Sequence, residues 1–519
     1  MFESKTTAVI NLGSDNLYLT IVERQNNNIK ILEKLEYPLS MGKDTFTNGY
    51  ISFEKVDRAC EIISGFKKII DDYKIKDVYA TGTTALREAS NSYFILDQIQ
   101  TKTGIKVSIM DDSDEKSYIF RDIIRHLRSN KKYKNKNIFI AYIGTGSLGI
   151  AYYTGNTIIY TQNIRIGSLK IAEILSNLQD KTEEFYSVIE DYLSTFTDAL
   201  RSQMPVGKID YFIAAGREVE LIYNTENENR INGNGEKYLS FRDFEDFYDS
   251  IKGKTVNQIS TEFNLNEIKS EALIPSMGLY RMLLKLFNIE DIIIHKSNLS
   301  ESIAYERLFS DMNENLISNF NSFIIDNAEY IGSKYLYDKE HAKNVEKFSI
   351  LIFDEMKNYH KMGEREKILL RVAAILHDVG KYININKHAK NSYNIVKNSD
   401  IVGLSKKDIG IIANIVRLHS KQMLKIDNFY LTKLSLNDRF KVAKMLAILR
   451  IADSLDRGHK NNYENVEIKL KKEKLVIKVE SYQELMLEEW SFNKKSEFFE
   501  EVFGIKPLFK KVKLWKNKI

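Results

Sequence analysis

The apolar run Ile138-Phe139-Ile140-Ala141-Tyr142-Ile143 stops at Gly144-Thr145-Gly146-Ser147 and resumes as Leu148 to Tyr153. Thr154-Gly155-Asn156 then leads into a third run, Thr157 to Gln162. β-Branched and aromatic residues bounded by small turn formers predict a strand–loop–strand–turn–strand unit. The same plan stands upstream. Thr7 to Leu12 is apolar, Gly13-Ser14 makes a turn, Leu17 to Glu23 alternates, and Asn26-Asn27-Asn28 precedes Ile29 to Leu35. Either glycine loop alone reads equally well as an ordinary hairpin. Two of them at the same place in a repeated unit predict two wound α/β domains facing a phosphate-sized cleft, with one loop on each wall.

Outward from these units the pattern changes twice. Between them, Lys55 to Asp72 carries apolar residues at helical spacing, and Val78 to Thr81 is a strand leading to Gly82-Thr83-Thr84 and a short helix at Ala85 to Ala89. After about Phe309 the strand signals stop, and 310 to 460 is helical in pattern with turns at Gly363, Gly380 and Gly403. Val466 to Leu470 and Lys474 to Val479 alternate like a hairpin, with a helix near Ser496 to Phe503. The boundaries expected are 1–127 and 128–308 for the two α/β domains, 309–464 for a helical domain and 465–519 for a small α/β cap. At roughly 150 residues per domain, 519 residues agree with three or four.

Composition narrows the class. With 43% hydrophobic and 11% aromatic residues the chain has material for large cores, which excludes disorder as the dominant state. A balance of 76 basic to 71 acidic residues leaves +5, too small an excess to mark a nucleic-acid-binding protein. The concentrated positive segment, Lys506, Lys510, Lys511, Lys513, Lys516 and Lys518, reads as a solvated tail in preference to a phosphate patch. Cys60 is the single cysteine, which excludes an internal disulfide and multi-cysteine metal sites; it reads as a core residue. No stretch reaches the ~18 apolar residues of a membrane span. A cytoplasmic protein with no membrane or specific nucleic-acid partner is expected.

Glycine gives a tight loop its freedom, and loop amides with Ser14 or Ser147 can hold a phosphate. Thr83 and Thr84 at a helix start, with Arg87 one turn in, can grip an oxyanion, or belong to a capped surface helix with Arg87 paired to a carboxylate. These three segments carry a family resemblance. Tyr79 to Asn91 resembles the GTSALREAxN signature of the exopolyphosphatase and guanosine pentaphosphate phosphatase family (Ppx/GppA). Ala8 to Leu19 resembles its first phosphate loop and Ile138 to Ile150 its second. Ile164 to Lys170 sits where the family has LPLGAVR, and Ile293 to Ser302 where it has VSDGGLREG. The resemblance implies two actin-like (ASKHA) domains, an all-α HD-type domain and a C-terminal cap, a homodimer, and release of terminal phosphate from polyphosphate or guanosine pentaphosphate with Mg²⁺ or Mn²⁺.

The resemblance also assigns residues. Aligning SGEEEAR with Asp111 to Ser117 puts the family's base on Glu115, the group that would accept a proton from the attacking water. Asn11, Gly13, Ser14, Arg87, Gly144, Thr145, Gly146 and Ser147 would cradle phosphates. Departures stand beside these matches. The family's aspartates in DLGSNS and DIGGGS are here Asn11 and Tyr142, the LREG arginine is Ser300, and Arg217 with Glu218 replace a usual glycine and threonine. Losing both carboxylates opens a second reading, in which the cleft binds a phosphate-rich ligand without turnover and hydrolysis moves to the helical domain.

That domain has its own constellation. Six of the eight histidines lie between His341 and His459. His377-Asp378 ends an apolar helix, and with His341 and Asp453 it makes the H…HD…D set of HD-type metallohydrolases, imidazole nitrogen and carboxylate oxygen around one divalent ion. His388 and His419 could supply a second ion. Asn391 stands where related chains have a histidine, so one complete site, His341, His377, Asp378 and Asp453, is expected.

Overall fold

The computed structural model describes residues 5–514 except 27, 180–183, 206, 217, 220, 223–236, 310–313 and 421–433. The chain forms two compact units, 1–320 and 321–519.

The first unit is built on two sheets. Strands β1 (Thr6–Leu12), β2 (Asn16–Gln25), β3 (Asn28–Pro38), β4 (Val78–Gly82) and β5 (Val107–Ile109) lie in the order β3-β2-β1-β4-β5. Strands β6 (Ile138–Ile143), β7 (Leu148–Thr154), β8 (Thr157–Ile164), β9 (Tyr211–Ala215), β10 (Lys237–Ser240) and β11 (Asp291–His295) lie in the order β10-β11-β9-β6-β7-β8. Counted from β1 and from β6, both sheets run third, second, first, fourth; β5 follows in the first sheet, and in the second the parallel β11, its sixth strand, with antiparallel β10, its fifth, at the edge. β1 pairs antiparallel with β2 and parallel with β4; β6 pairs antiparallel with β7 and parallel with β9. The repeat read in the sequence is therefore a repeat of topology.

The equivalence extends to single hydrogen bonds. The Gly13 amide donates to the Asn16 carbonyl at 2.9 Å, and the Gly144 amide to the Ser147 carbonyl at 2.9 Å. The carbonyls of Ser14 and Asp15 accept from Gly42, Leu39 and Ser40, which fixes the start of the helix Met41–Asn48. Those of Gly144 and Thr145 accept from Ser168, Leu169 and Lys170 at the start of the helix Ser168–Gln179. Each loop thus satisfies orphan amides of a helix N-terminus. Ala8, Ile10 and Leu12, on one face of β1, share a buried core with Val56, Ile63 and Phe66 of the helix Phe53–Asp72. Cys60 is in that core.

Among its described residues, the second unit is helical to about residue 455. Three of its helices are Lys339–Glu355, Glu364–Leu376 and Lys406–Leu418. The helix Leu436–Ser454 follows, and β12 (Asn465–Lys471), β13 (Lys474–Ser481) and β14 (Lys506–Lys513) form a three-stranded sheet. Two expectations are corrected here. The helix near Ser496 begins ten residues earlier, as Met486–Phe503. The lysine-rich terminus is no solvated tail through Lys513: it is β14, parallel to β13, with Lys513 3.0 Å from Glu484 and Lys511 also paired with it. Pairing with a buried strand outweighs the repulsion of alternate lysines. Lys516 and Lys518 lie outside the described residues. Among the described residues no helix is long and apolar enough to cross a membrane.

Candidate active sites

The two glycine loops line one cavity of about 100 Å³ together with Asn11, Ser14, Thr145 and Glu115. Glu115 reaches it because of where it falls on the helix Asp112–Ser129. Ile119, Ile123 and Leu127 follow at four-residue spacing and are buried, so Glu115 is the carboxylate that begins an apolar stripe. The N-terminal turn of that helix, with Asp112, Asp114 and Glu115, suits the helix dipole. Glu115 is buried, and its Oε2 has no hydrogen-bond partner. Its Oε1 lies 3.9 Å from where a Cβ on Gly144 would sit.

Not every expected phosphate contact is available. The amides of Gly13 and Gly144 are consumed inside their own turns. Gly146 and Ser147 are not on the cavity wall. Gly146 is needed for close approach, since a Cβ there would stand 2.2 Å from the Thr84 methyl. Arg87 is also off the wall. It donates to the Met110 carbonyl at 2.6 Å and Thr84 Oγ1 at 2.9 Å, and pairs with Asp112. Arg87 is thus a clamp between the Thr83–Thr84 turn and the helix that carries Glu115, and its Nη1 stands 3.9 Å from Glu115 Oε2. Glu301 pairs with Lys34 at 2.8 Å, and Ser300 lines the cavity. Arg217 lies outside the described residues.

The structure adds residues that the sequence reading passed over. Asp15, Glu218, Thr83 and Thr84 line the cavity. Lys116 is buried; its stem lies along Gly149, and its ammonium donates to Ser147 Oγ at 2.6 Å and stands 3.4 Å from Glu115 Oε1. The same ammonium is 5.1 Å from the ring centroid of Tyr142. The Lys116 ammonium therefore sits beside the carboxylate to which the family alignment assigns the role of base. The signal was legible: Lys116 occupies the place of the small alanine in SGEEEAR.

The second constellation lies in the helical unit. His377 follows the helix Glu364–Leu376, and its Nδ1 donates to the Ala374 carbonyl at 2.7 Å. His419 follows the helix Lys406–Leu418 and uses the Val416 carbonyl in the same way at 2.7 Å. His388 does so with Ile385 at 2.7 Å. In each case the ring satisfies a carbonyl three residues back and turns its other nitrogen away. His341 donates through Nδ1 to Asp456 at 3.0 Å, and Asn344 steadies the same carboxylate at 3.1 Å.

The free faces converge. His341 Nε2 is 3.4 Å from Asp453 Oδ1; His377 Nε2 is 3.7 Å from that oxygen and 3.4 Å from Asp378 Oδ2. Both Nε2 atoms are buried with no hydrogen-bond partner. Donors about 2.1 Å from a common ion stand roughly 3.0 to 3.5 Å apart, so these separations suit a divalent cation. A second nitrogen bonded to a carbonyl or carboxylate is the support metal-binding imidazoles use. All four expected residues meet here, and His419 and His388 join them at 3.5 and 3.6 Å from Asp378 Oδ1. Among the described residues, the trios close enough to share an ion are His341, His377 and Asp453; His377, Asp378 and His419; and His341 and Asp378 with His459. Burial opposes a charge on His377, yet Asp378 and Asp453 outweigh it and push the imidazole up to about 10. Burial likewise works against charge on Asp378, but His377 and His419 hold it well below the usual carboxylate range.

A two-sheet α/β unit with twin glycine loops on one cavity, followed by a helical unit, defines a class of actin-like proteins with a helical extension. The Ppx/GppA phosphatase family model matches residues 20–311, and the model for Ppx/GppA phosphatase domain III matches residues 326–496. The chain belongs to the Ppx/GppA phosphatase family. A guanosine-5′-triphosphate,3′-diphosphate pyrophosphatase of Aliivibrio fischeri is 18% identical over 455 residues, 86% of this chain and 85% of that protein. The crystal structure of an exopolyphosphatase from Cytophaga hutchinsonii covers 59% of this chain and 98% of its own, at 21% identity and a TM-score of 0.52. The Aquifex aeolicus family member covers 60% and 99%, at 18% identity and a TM-score of 0.50. At these identities the two structures bear on the fold alone.

Proposed function

We propose that the chain is a phosphohydrolase that takes the phosphate end of polyphosphate or guanosine pentaphosphate into the cavity of its first unit and releases the terminal phosphate. Glu115 is the proton acceptor. The observation that carries this reading is a buried carboxylate with an oxygen that makes no hydrogen bond, on the same small cavity as both glycine loops. Serine, threonine and asparagine side chains around it offer neutral donors to phosphate oxygens. Arg87 is a positioning residue that anchors the helix of Glu115.

Divalent metal fits the second unit better than the first. The orphaned Nε2 atoms of His341 and His377, with Asp378 and Asp453, would hold Mg²⁺ or Mn²⁺. A bound ion would polarise a phosphoryl oxygen and stabilise charge as it develops. The chain's own part is to hold the two imidazoles with Nε2 turned toward the carboxylates, fixed by Asp456 and the Ala374 carbonyl; a bound ion would take the place of the protons that Asp378 and Asp453 favour on these rings.

The second reading, ligand binding in the cavity without turnover, is favoured by Asn11, Tyr142 and the Lys116 ammonium beside Glu115. Phosphate release from long-chain polyphosphate and guanosine pentaphosphate, with Mg²⁺ and Mn²⁺, separates the two. Release by the wild type supports hydrolysis in the cavity if Glu115→Gln stops it; tight binding of either compound with no release favours the second reading.

A further inference from the structure

We infer that the cavity of the first unit binds a phosphate end without a divalent cation, the buried ammonium of Lys116 supplying the positive charge that such an ion would bring. This rests on the reading that the cavity takes a phosphate end, and it holds whether or not that end is cleaved. The donors of the cavity do not suit an ion. A divalent cation beside a phosphate is held by one or two carboxylates aimed at it. The two that the family sets at the glycine loops are here an amide, Asn11, and a phenol ring, Tyr142. Asp15, Glu115 and Glu218 remain on the wall. Among the described residues these three do not come close enough to one another to share an ion, unlike the histidines and aspartates of the second unit. Glu115 also has an ammonium 3.4 Å from its Oε1, which opposes a second cation at the same carboxylate.

That ammonium is built into the corner by three residues that fit one another. The stem of Lys116 runs along Gly149, where a Cβ would stand 2.8 Å from the lysine Cγ, so the glycine makes room for the lysine. Gly149 of β7 lies directly opposite Tyr142 of β6, and the Tyr142 ring centroid is 5.1 Å from the ammonium. An aspartate at 142 would meet the ammonium as an ion pair and cancel it. An aromatic ring attracts the cation and leaves its charge to act on the cavity. On the other side the ammonium donates to Ser147 Oγ at 2.6 Å, which ties it to the second glycine loop. Arg87, the other cation near Glu115, is committed to Asp112. Lys116 lies behind the wall, so it meets a phosphate across Glu115 and Ser147 and not by contact. It is a positioning residue: in a buried corner its attraction for the anion offsets the repulsion from Glu115, while Glu115 Oε2 keeps its place without a hydrogen bond.

The test uses the full-length chain and sodium imidodiphosphate, whose nitrogen bridge resists hydrolysis, so that binding is read apart from turnover. Hydrogen exchange of the peptides that span Gly13 and Gly144 is followed against imidodiphosphate concentration, in EDTA and in excess Mg²⁺. Reading those two peptides separates this cavity from any anion bound in the second unit. For the wild type, half-maximal protection is expected at concentrations within about threefold of each other in the two buffers. Lys116→Met should raise that concentration about tenfold or more in EDTA, with an unchanged circular dichroism spectrum. Asn11→Asp and Tyr142→Asp combined with Lys116→Ala should restore protection in Mg²⁺ and not in EDTA, a switch that a lysine with a merely structural role would not produce. Wild-type protection that requires Mg²⁺, or equal half-maximal concentrations for the wild type and Lys116→Met, would overturn the inference. A wild type that shows Mg²⁺-independent protection yet releases no phosphate from polyphosphate or guanosine pentaphosphate would remove the hydrolytic reading alone and support this one.

Discussion

Glu115 and Lys116 are neighbours in sequence that share one buried corner of the cavity, and the chemistry there turns on which of them dominates. The family's aspartates are absent at Asn11 and Tyr142, so little negative charge other than Glu115, Asp15 and Glu218 lines the space. Asn11→Asp combined with Tyr142→Asp should raise phosphate release by about tenfold or more, because each kcal-scale gain in charge stabilisation is worth a large factor and 1.4 kcal/mol is tenfold. Phosphate release at saturating Mg²⁺ checks this; an unchanged rate would mean that Asp15 or Glu218 already does the work. Arg87→Lys should destabilise the fold by about 2–3 kcal/mol, since a lysine cannot serve Met110, Thr84 and Asp112 from one planar fork, and the urea midpoint reads it. At this scale the sequence was partly legible. The stripe Glu115, Ile119, Ile123, Leu127 marks a carboxylate on a buried face, and Lys116 stands out against the alanine of the family motif. For Arg87 the pairing with a carboxylate was one of the two readings and is found at Asp112, whereas its bonds to Thr84 and the Met110 carbonyl were not legible. His388 and His419 were legible as possible ligands of a second ion, although the carbonyls that support their rings leave no mark in residue identity.

Elements meet closely at a few glycines, and there the cost of change can be stated. A Cβ on Gly380 would stand 2.2 Å from the His388 carbonyl and 2.3 Å from the Ser392 nitrogen, both backbone atoms. Gly380→Ala should therefore push the segment holding His377 and Asp378 away from the helix His388–Lys397, costing about 1–3 kcal/mol, seen as a lowered thermal midpoint together with weaker Mn²⁺ binding. In the first unit, Arg281 of the helix Glu267–Leu286 forks onto Glu245 at 2.6 and 2.9 Å and reaches Glu190 at 2.6 Å, tying three helices together. Burial raises the Glu245 carboxyl, but the bond to Arg281 outweighs it and holds the group below its ordinary 4.5. A depressed carboxyl contributes stability that is full above its unfolded value and is lost as pH falls through the folded one. The urea midpoint of the wild type should decline below about pH 4.5, and Arg281→Met should start lower and decline less. Boundaries of elements were read to within a few residues where apolar periodicity was strong. The helix Met486–Phe503 was read short because Glu488, Glu489, Lys494 and Lys495 obscure its apolar face, and β14 was missed because its lysines alternate with Leu508 and Val512.

Across the whole molecule the two units carry different chemistry, and that difference was visible before the fold. The repeated strand–loop–strand pattern is local, so the twin sheets and the loops on one cavity could be read from it. The order of the strands and the convergence of His341 with Asp453, 112 positions apart, depend on packing that periodicity does not encode. Ligand that binds the native state protects it, so Mn²⁺ should slow hydrogen exchange in the helices Lys339–Glu355, Glu364–Leu376 and Leu436–Ser454 and leave β1 and β6 unchanged. Mass spectrometry of peptic fragments would show it, and protection of β1 and β6 alone would move the metal to the other unit. The proposed function rests on Glu115 accepting the proton when the terminal phosphate is released. Steady-state phosphate release from guanosine pentaphosphate by the wild type and by Glu115→Gln, at equal circular dichroism, tests it most directly. Measurable release by the wild type and a fall of about 100-fold or more in the variant are expected; equal rates in the two proteins would contradict a role for Glu115 as proton acceptor.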